Sequence, residues 1–133
     1  MIVVSQVSEV FYPVLPGGLA QLYRYGPGLR ERGIQLRVHT TLQAEHGGER
    51  ELTVNGVEII RHALPEGMAH HLERSRLIRH AIEGMREERG TKAHCLQPNG
   101  ATWRSTAQLW RARTQGIATS FYFTMFPDDP PER

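Results

Sequence analysis

Cysteine is nearly absent from this sequence. Cys95 is the single cysteine among 133 residues, so no disulfide can form within the chain. Proteins of reducing compartments typically lack disulfides, and the first residues do not carry the basic segment of a signal peptide. These observations predict a cytoplasmic protein.

Aspartate is absent before Asp128 and Asp129. Enzymes that hold Mg²⁺ or Mn²⁺ usually do so with carboxylates at strand ends, so we expect neither a metal site nor a metal-dependent mechanism. The seven histidines do not change this expectation. His70 and His71 are adjacent and point to different sides of a helix, and His80 is not three or four residues from either. We therefore predict solvated or locally bonded histidines.

Long apolar runs and a strong charge imbalance are also missing. No apolar stretch approaches the ~20 residues that cross a bilayer, and a net charge of +2 is too small to indicate a nucleic-acid partner. The arginine-rich face of residues 68–89 also carries glutamates, which favours a solvated face. Peripheral contact with anionic lipid stays open as the alternative.

Two adjacent glycines stand where an apolar strand gives way to a helix. Residues 1–8 are rich in β-branched side chains and predict a buried strand, whereas residues 19–32 have apolar residues close to helical spacing. Gly17 and Gly18 let the backbone approach a ligand, and the free N–H groups of a helix start attract phosphate. The alternative is a tight turn without a ligand.

The rest of the chain alternates between strand and helix patterns. Such alternation predicts a single α/β domain with a Rossmann-like, mainly parallel sheet, helices on both faces and a β-hairpin insertion. Gly26-Pro27-Gly28 falls inside the first helix and predicts a kink or a split there. The predicted elements after that helix are a strand at 34–40, a hairpin of 51–54 and 57–62 around Asn55-Gly56, a helix at 68–89, a strand at about 92–97, a helix from 103 and a strand at 117–126.

A dinucleotide-binding site is not predicted. Such a site needs Gly-x-Gly-x-x-Gly after the first strand and an acidic residue at the end of the second. The first junction offers only Gly17-Gly18, and the second strand ends in His39-Thr40-Thr41. Both requirements fail.

Two features of the last third of the chain bear on packing and on ligand binding. The stripe of Trp103, Ala107 and Trp110 is predicted to pack against the sheet. Gln97 and Asn99 lie at the carboxyl end of a strand, where ligands bind in open parallel sheets, and their amides can hydrogen-bond a polyol. The alternative is that they only cap the next helix.

Several segments, taken in chain order, resemble one known family. They are similar to the N-terminal domain of retaining GT-B glycosyltransferases, in the large family four that includes glycogen synthases and sucrose-type synthases. The similar segments are 7–13 with Pro16-Gly17-Gly18-Leu19-Ala20, 28–33 with 38–41, 54–59, His94, and 115–124.

The resemblance implies a fold, an activity and site residues. It implies half of a GT-B fold, in which residues 1–133 form a truncated N-terminal, acceptor-side domain. The enzyme would move a hexosyl group from a nucleotide-sugar to a hydroxyl with retention. It implies no metal and no cofactor beyond the donor. The implied site residues are Gly17, Gly18 and Leu19 as the donor-phosphate loop, and Tyr12, His94, Gln97 and Asn99 as the acceptor pocket.

The sequence also departs from the family pattern. The C-terminal donor-binding domain is not in these 133 residues, and residues 123–126 contain no histidine where the family has a sugar-contacting one. We expect the chain alone to be inactive, with the donor-binding domain or a separate chain as its partner. The acceptor would be a sugar, a lipid-linked molecule or another small molecule. The alternatives are a non-catalytic Rossmann-like subunit of a split glycosyltransferase and a truncated gene product.

Overall fold

A computed structural model of the chain describes residues 1–15, 17–43, 48–88, 93–98 and 103–119. Of residues 17–19, 22, 70, 71, 93, 97, 98 and 103–106 it describes the backbone. Most of the final predicted strand, at 117–126, lies outside these ranges. No helix in the described ranges is both long enough and apolar enough to cross a membrane.

The described residues form one six-stranded sheet with helices between its strands. The strand order is β3-β4-β2-β1-β5-β6, and every neighbouring pair is parallel except β3 with β4, which form the predicted hairpin. This confirms the Rossmann-like, mainly parallel α/β fold. The elements are β1 (Ile2–Val7), α1 (Gly17–Glu31), β2 (Ile34–Thr41), β3 (Glu51–Val54), β4 (Val57–His62), α2 (His70–Glu87), β5 (Ala93–Pro98), α3 (Trp103–Thr114) and β6 (Ala118–Thr119).

Helices cover both faces of the sheet, as predicted, and an apolar cluster lies between the helices and the sheet on each face. On one face α1 packs through Tyr23 and Leu29 onto β2 and β4. On the other face α2 and α3 pack together against β1 and β5. The buried residues of the α2–α3 cluster are Val7, Leu77, Ile78, Ala81, Ile82, Met85, Leu96, Leu109 and Ala112.

The buried face of α3 differs from the predicted one. Leu109 and Ala112 face the core, whereas Ala107 is exposed and Trp110 is 68% exposed. The prediction that Ala107 and Trp110 pack on the sheet is therefore wrong, and the side chain of Trp103 lies outside the described part. One position along a helix turns the side chain by about 100°, so a one-residue error in the apolar stripe selects the wrong face.

Helix α1 runs without a break through Gly26-Pro27-Gly28, so the predicted split does not occur. Pro27 has no N–H and cannot donate to the carbonyl of Tyr23, four residues earlier. The side-chain Nδ2 of Asn55, in the hairpin turn, donates to that carbonyl at 2.7 Å instead. The hairpin thus restores the hydrogen bond that the proline removes.

The same contact explains Gly26. A Cβ atom there would lie 2.9 Å from Cγ2 of Val57 and closer still to the backbone oxygen of Asn55. Gly56 lies directly against the helix, with its own Cβ position 3.3 Å from the carbonyl carbon of Gly26. Asn55 and Gly56 have φ values of 52° and 75°, which fits the predicted two-residue turn. The Gly26-Pro27-Gly28 segment of α1 and the Asn55-Gly56 turn, about thirty residues apart in sequence, therefore pack closely against each other.

Candidate functional site

A hollow of about 220 Å³ lies at the carboxyl ends of β1, β2 and β4. These strands are parallel and end near one another, with Val7 opposite His39 and Thr41 opposite His62. Ligands of open parallel sheets bind outside this edge. The walls come from the segments that follow the three strands and from the start of α2, namely Glu9, Val10, Thr41, Leu42, Gln43, Leu64, Pro65, Glu66, Gly67 and Glu73.

Hydrogen bonds fix the segment after β1 to the end of β2. The hydroxyl of Thr41 donates to the carbonyl oxygen of Glu9 at 2.7 Å. The backbone N–H of Ser8 donates to the carbonyl of His39 at 3.0 Å, and its hydroxyl donates to the carbonyl of Val10 at 2.7 Å. The wall of the hollow is therefore held in place by the strand beside it.

An ion pair joins the same segment to helix α2. Nε and Nη2 of Arg74 lie 2.9 Å and 3.4 Å from the two carboxylate oxygens of Glu9. Both side chains are largely shielded from water, at 24% and 17% exposure, and a two-point contact of this kind fixes the orientation of the carboxylate. Glu9 thus lines the hollow with its oxygen atoms held in a fixed orientation, and each oxygen has a second lone pair that can accept a hydrogen bond from a hydroxyl group.

Tyr12 lies in the bend that leads from β1 to α1. Its ring stacks on that of Tyr23, with centroids 6.1 Å apart and planes at 22°. Arg61, buried at 3% exposure, donates from Nη2 to the carbonyl of Tyr12 at 2.8 Å and from Nη1 to that of Glu49 at 3.2 Å. Arg61 therefore fixes the position of the bend by holding this backbone carbonyl. Nothing in the sequence pattern singled it out.

Gly17, Gly18 and Leu19 form the first turn of α1. The predicted strand-to-helix junction is present, and the glycines belong to the helix rather than to a loop before it. The first N–H groups of a helix have no acceptor within it, and the helix dipole makes that end positive. Because α1 follows β1, this end of the helix faces the carboxyl edge of the sheet.

The remaining predicted acceptor residues differ in their distance from the carboxyl edge of the sheet. His94 is opposite Val3, which puts it about 13 Å short of the end of β1 at the strand spacing. The structure therefore does not bring His94 to the edge where Tyr12 lies. Gln97 is opposite Gln6, one residue before that end, but its side chain and all of Asn99 lie outside the described part.

Three histidines from β2, β4 and α2 stack in a column beneath α2. Nδ1 of His39 and Nε2 of His62 are 2.8 Å apart, and their rings are nearly parallel with centroids separated by 5.1 Å. His62 stacks in turn on His80 at 4.4 Å, and Nδ1 of His80 lies 3.6 Å from a carboxylate oxygen of Glu83. Within the described ranges no three His, Cys, Asp or Glu side chains are grouped to hold a metal. The histidines of this column contact one another.

The column disfavours protonation. Burial, together with the neighbouring His62, Arg37 and His80, lowers the pKa of His39 to about 3. Burial and His80 lower the pKa of His62 to about 4, with Arg50 adding to the effect and Glu83 opposing it. Both rings are therefore neutral in the folded protein near pH 7.

Acid is expected to destabilise the fold through this column. In the unfolded chain both histidines titrate near pKa 6.5, so the unfolded state takes up protons first as the pH falls. The two neutral histidines therefore make their full contribution to the free energy of unfolding above pH 6.5. This contribution is lost as the pH falls from there toward the pKa values of the folded state. We expect a loss of at least about 2 kcal/mol between pH 7 and pH 4.5, allowing for solvent screening at His62, measured by urea unfolding.

The matched control is the double variant His39→Gln/His62→Gln, which keeps polar groups in the column without the titration. Its stability should change much less over the same pH interval. An equally steep decline in the variant would show that other groups cause the acid sensitivity.

Comparisons with known proteins agree on the fold. No family model and no curated protein matches the chain. A solved structure of sucrose-phosphate synthase from Thermosynechococcus elongatus matches 91% of this chain and 32% of its own, with a TM-score of 0.58 at 13% identity. The C-terminal domain of a hydrogenase from Pyrococcus furiosus matches 92% of this chain and 90% of its own, with a TM-score of 0.52 at 13% identity.

Two solved structures with different names thus share this architecture, and identities this low establish shared fold alone. The chain spans about a third of the sucrose-phosphate synthase structure. It has a Rossmann-like α/β fold that is similar to part of the sucrose-phosphate synthase structure and to the hydrogenase domain.

Proposed function

We propose that this chain is the acceptor-side half of a nucleotide-sugar-dependent retaining glycosyltransferase that transfers a hexosyl group to a hydroxyl. One observation carries the proposal: the hollow with oriented oxygen atoms and the glycine-starting end of α1 lie at the same edge of the sheet. A polyol acceptor needs the first feature, and a diphosphate leaving group needs the second.

Each part of this edge has a chemical task in the proposed reaction. The N–H groups at Gly17, Gly18 and Leu19 stabilise the charge that develops on the departing diphosphate, and the missing Cβ atoms let the phosphate come close. The segment carrying Glu9, held by Arg74, contributes to binding the acceptor. Tyr12, Gln97 and Asn99 are the further acceptor-side candidates, while His94 would serve only if the acceptor reaches well back along β5.

The activity requires a second, donor-binding unit, supplied by another domain or by a separate chain. Amides, the helix dipole and basic side chains stabilise the leaving group in this proposal, so the reaction uses no metal or cofactor. The second candidate is a non-catalytic subunit of a split glycosyltransferase, which has the same acceptor edge. Cytoplasmic location and peripheral membrane contact stay predictions from the sequence.

A titration of the ¹⁵N-labelled chain with sugars and nucleotides tests the proposal. Monosaccharides, disaccharides and sugar alcohols should shift amide signals of residues 8–15, 42–43 and 63–67, which surround the hollow. UDP, GDP and ADP should shift these signals less, because most donor contacts belong to the other half. The measurement is a set of ¹H–¹⁵N correlation spectra with increasing ligand.

Thr41→Val supplies the site variant, since it removes the hydroxyl that holds the carbonyl of Glu9. We expect sugar binding to weaken about tenfold, the size of one lost hydrogen bond in a shielded site. Thr53→Val, on the exposed side of β3, is the matched control and should bind as before. Sugar-induced shifts confined to the amino edge around Gly33, or tight binding of nucleotides in place of sugars, would contradict the proposal.

A further inference from the structure

A second concave site lies on the outer surface between α2 and α3. It encloses about 310 Å³ and is separate from the hollow at the carboxyl edge of the sheet. This volume is at the lower end of the range for small-molecule sites. Its polar lining consists of Arg79, Glu83 and Arg86 from α2, with Gln108, Arg111 and Gln115 from α3 and the turn after it. We call this site the arginine groove.

The charge of the arginine groove is unbalanced. Arg79, Arg86 and Arg111 are exposed, and none of them forms an ion pair within the described ranges. Glu83 is the acidic residue of the lining, and its carboxylate contacts the ring of His80. Three guanidinium groups against one carboxylate give the groove a positive field that attracts anions.

The groove also holds two unsatisfied acceptors. The side-chain oxygens of Gln108 and Gln115 are shielded from water and accept no hydrogen bond from the residues that the structure describes. The amide nitrogen of Gln108 is 3.5 Å from the hydroxyl of Ser75. Shielded acceptors without a partner are uncommon in folded proteins. Because the terminal torsion of a glutamine side chain is broad, each amide can rotate its oxygen toward the groove, where a ligand that carries hydroxyl groups would satisfy it.

We propose that the arginine groove binds a small phosphorylated polyol. The guanidinium groups take the phosphate, which they match in geometry as well as in charge, and the oxygens of Gln108 and Gln115 accept hydrogen bonds from hydroxyl groups. Arg79 and Arg86 are two helical turns apart, about 10 Å along the axis, so a ligand of this size places its phosphate between one of them and Arg111. This site does not depend on the proposed transferase activity.

Three probes separate the two parts of the proposed ligand. Ribose 5-phosphate carries both phosphate and hydroxyls, inorganic phosphate carries the charge alone, and ribose carries the hydroxyls alone. In a titration of the ¹⁵N-labelled chain we expect saturable shifts of α2 and α3 amides with ribose 5-phosphate. Inorganic phosphate should bind about tenfold more weakly or worse, and ribose should cause no shifts at the same concentrations.

Arg111→Gln and Arg86→Gln remove the charges one at a time. Both side chains are exposed, so neither change is expected to unfold the protein. At least one of the two variants should bind ribose 5-phosphate about tenfold more weakly. Arg113→Gln, on the same helix but outside the groove lining, is the matched control and should bind unchanged.

Some results would overturn the inference. Failure of ribose 5-phosphate to shift the α2 and α3 signals contradicts it directly. Equal affinity for inorganic phosphate and ribose 5-phosphate contradicts the role of the glutamine oxygens. Equal weakening of binding in Arg111→Gln and Arg113→Gln would show that the ligand responds to general surface charge and not to a specific site.

Discussion

Gly26→Ala should destabilise the protein by roughly 3 kcal/mol, whereas Gly28→Ala, two residues later in the same helix, should stabilise it by up to about 1 kcal/mol. At position 26 the new methyl group would overlap the backbone of Asn55 and Cγ2 of Val57, which belong to a rigid turn. At position 28 a Cβ atom meets nothing within 4 Å, so only the helix propensity changes.

Urea unfolding of the two variants measures the effect, and each serves as the control for the other. The same substitution in the same helix can give opposite signs only if the close contact with the hairpin decides the outcome. If Gly26→Ala proved neutral or stabilising, α1 and the hairpin turn would not be packed as the structure shows.

Gly18→Val should abolish transfer in the enzyme completed by its donor-binding domain, with a fall of roughly 100-fold or more. The branched side chain would stand between the first amides of α1 and the diphosphate that they are proposed to stabilise. Gly28→Val makes the same chemical change on the same helix, at a position open to solvent, and should retain activity.

Initial rates of transfer from a nucleotide-sugar measure this effect, with circular dichroism of both variants to confirm that they fold. Full activity in Gly18→Val would show that the two glycines form only a turn and that the phosphate is bound elsewhere.

The fold was predictable from the sequence because its signals are local. β-Branched runs, the Asn55-Gly56 turn and glycines that end helices each act within a few residues, and together they fix the order of the elements. The continuity of α1 was not predictable, because Asn55, which restores the hydrogen bond lost at Pro27, is distant in sequence from the carbonyl it contacts. Local rules alone predict a break at Pro27.

Only part of the candidate site carries a signal in the sequence, and its binding role stays a prediction. Gly17 and Gly18 stand out because adjacent glycines before a helix let the backbone approach a ligand closely. The contacts Glu9 to Arg74 and Arg61 to Tyr12 join residues 65 and 49 positions apart, and no pattern within either segment predicts them.

Strand β2 shows why buried polar groups escape such predictions. Its alternation of apolar and polar residues is typical of a strand with one solvated face, yet Arg37 and His39 on the polar face are buried at 4% and 2% exposure. Helix α2 covers that face, and Glu58 and Glu88 pair with Arg37 there. Although burial disfavours its charge, these contacts raise the pKa of Arg37 above its ordinary value.

The anomeric configuration of the product tests the proposed function most directly. The chain is combined with its donor-binding unit and a nucleotide-sugar, and the product is followed by ¹H NMR from the first turnovers. We expect transfer to a hydroxyl with the donor's anomeric configuration retained, and no turnover by the chain alone. Inversion of that configuration, or rapid turnover by the isolated chain, would contradict it.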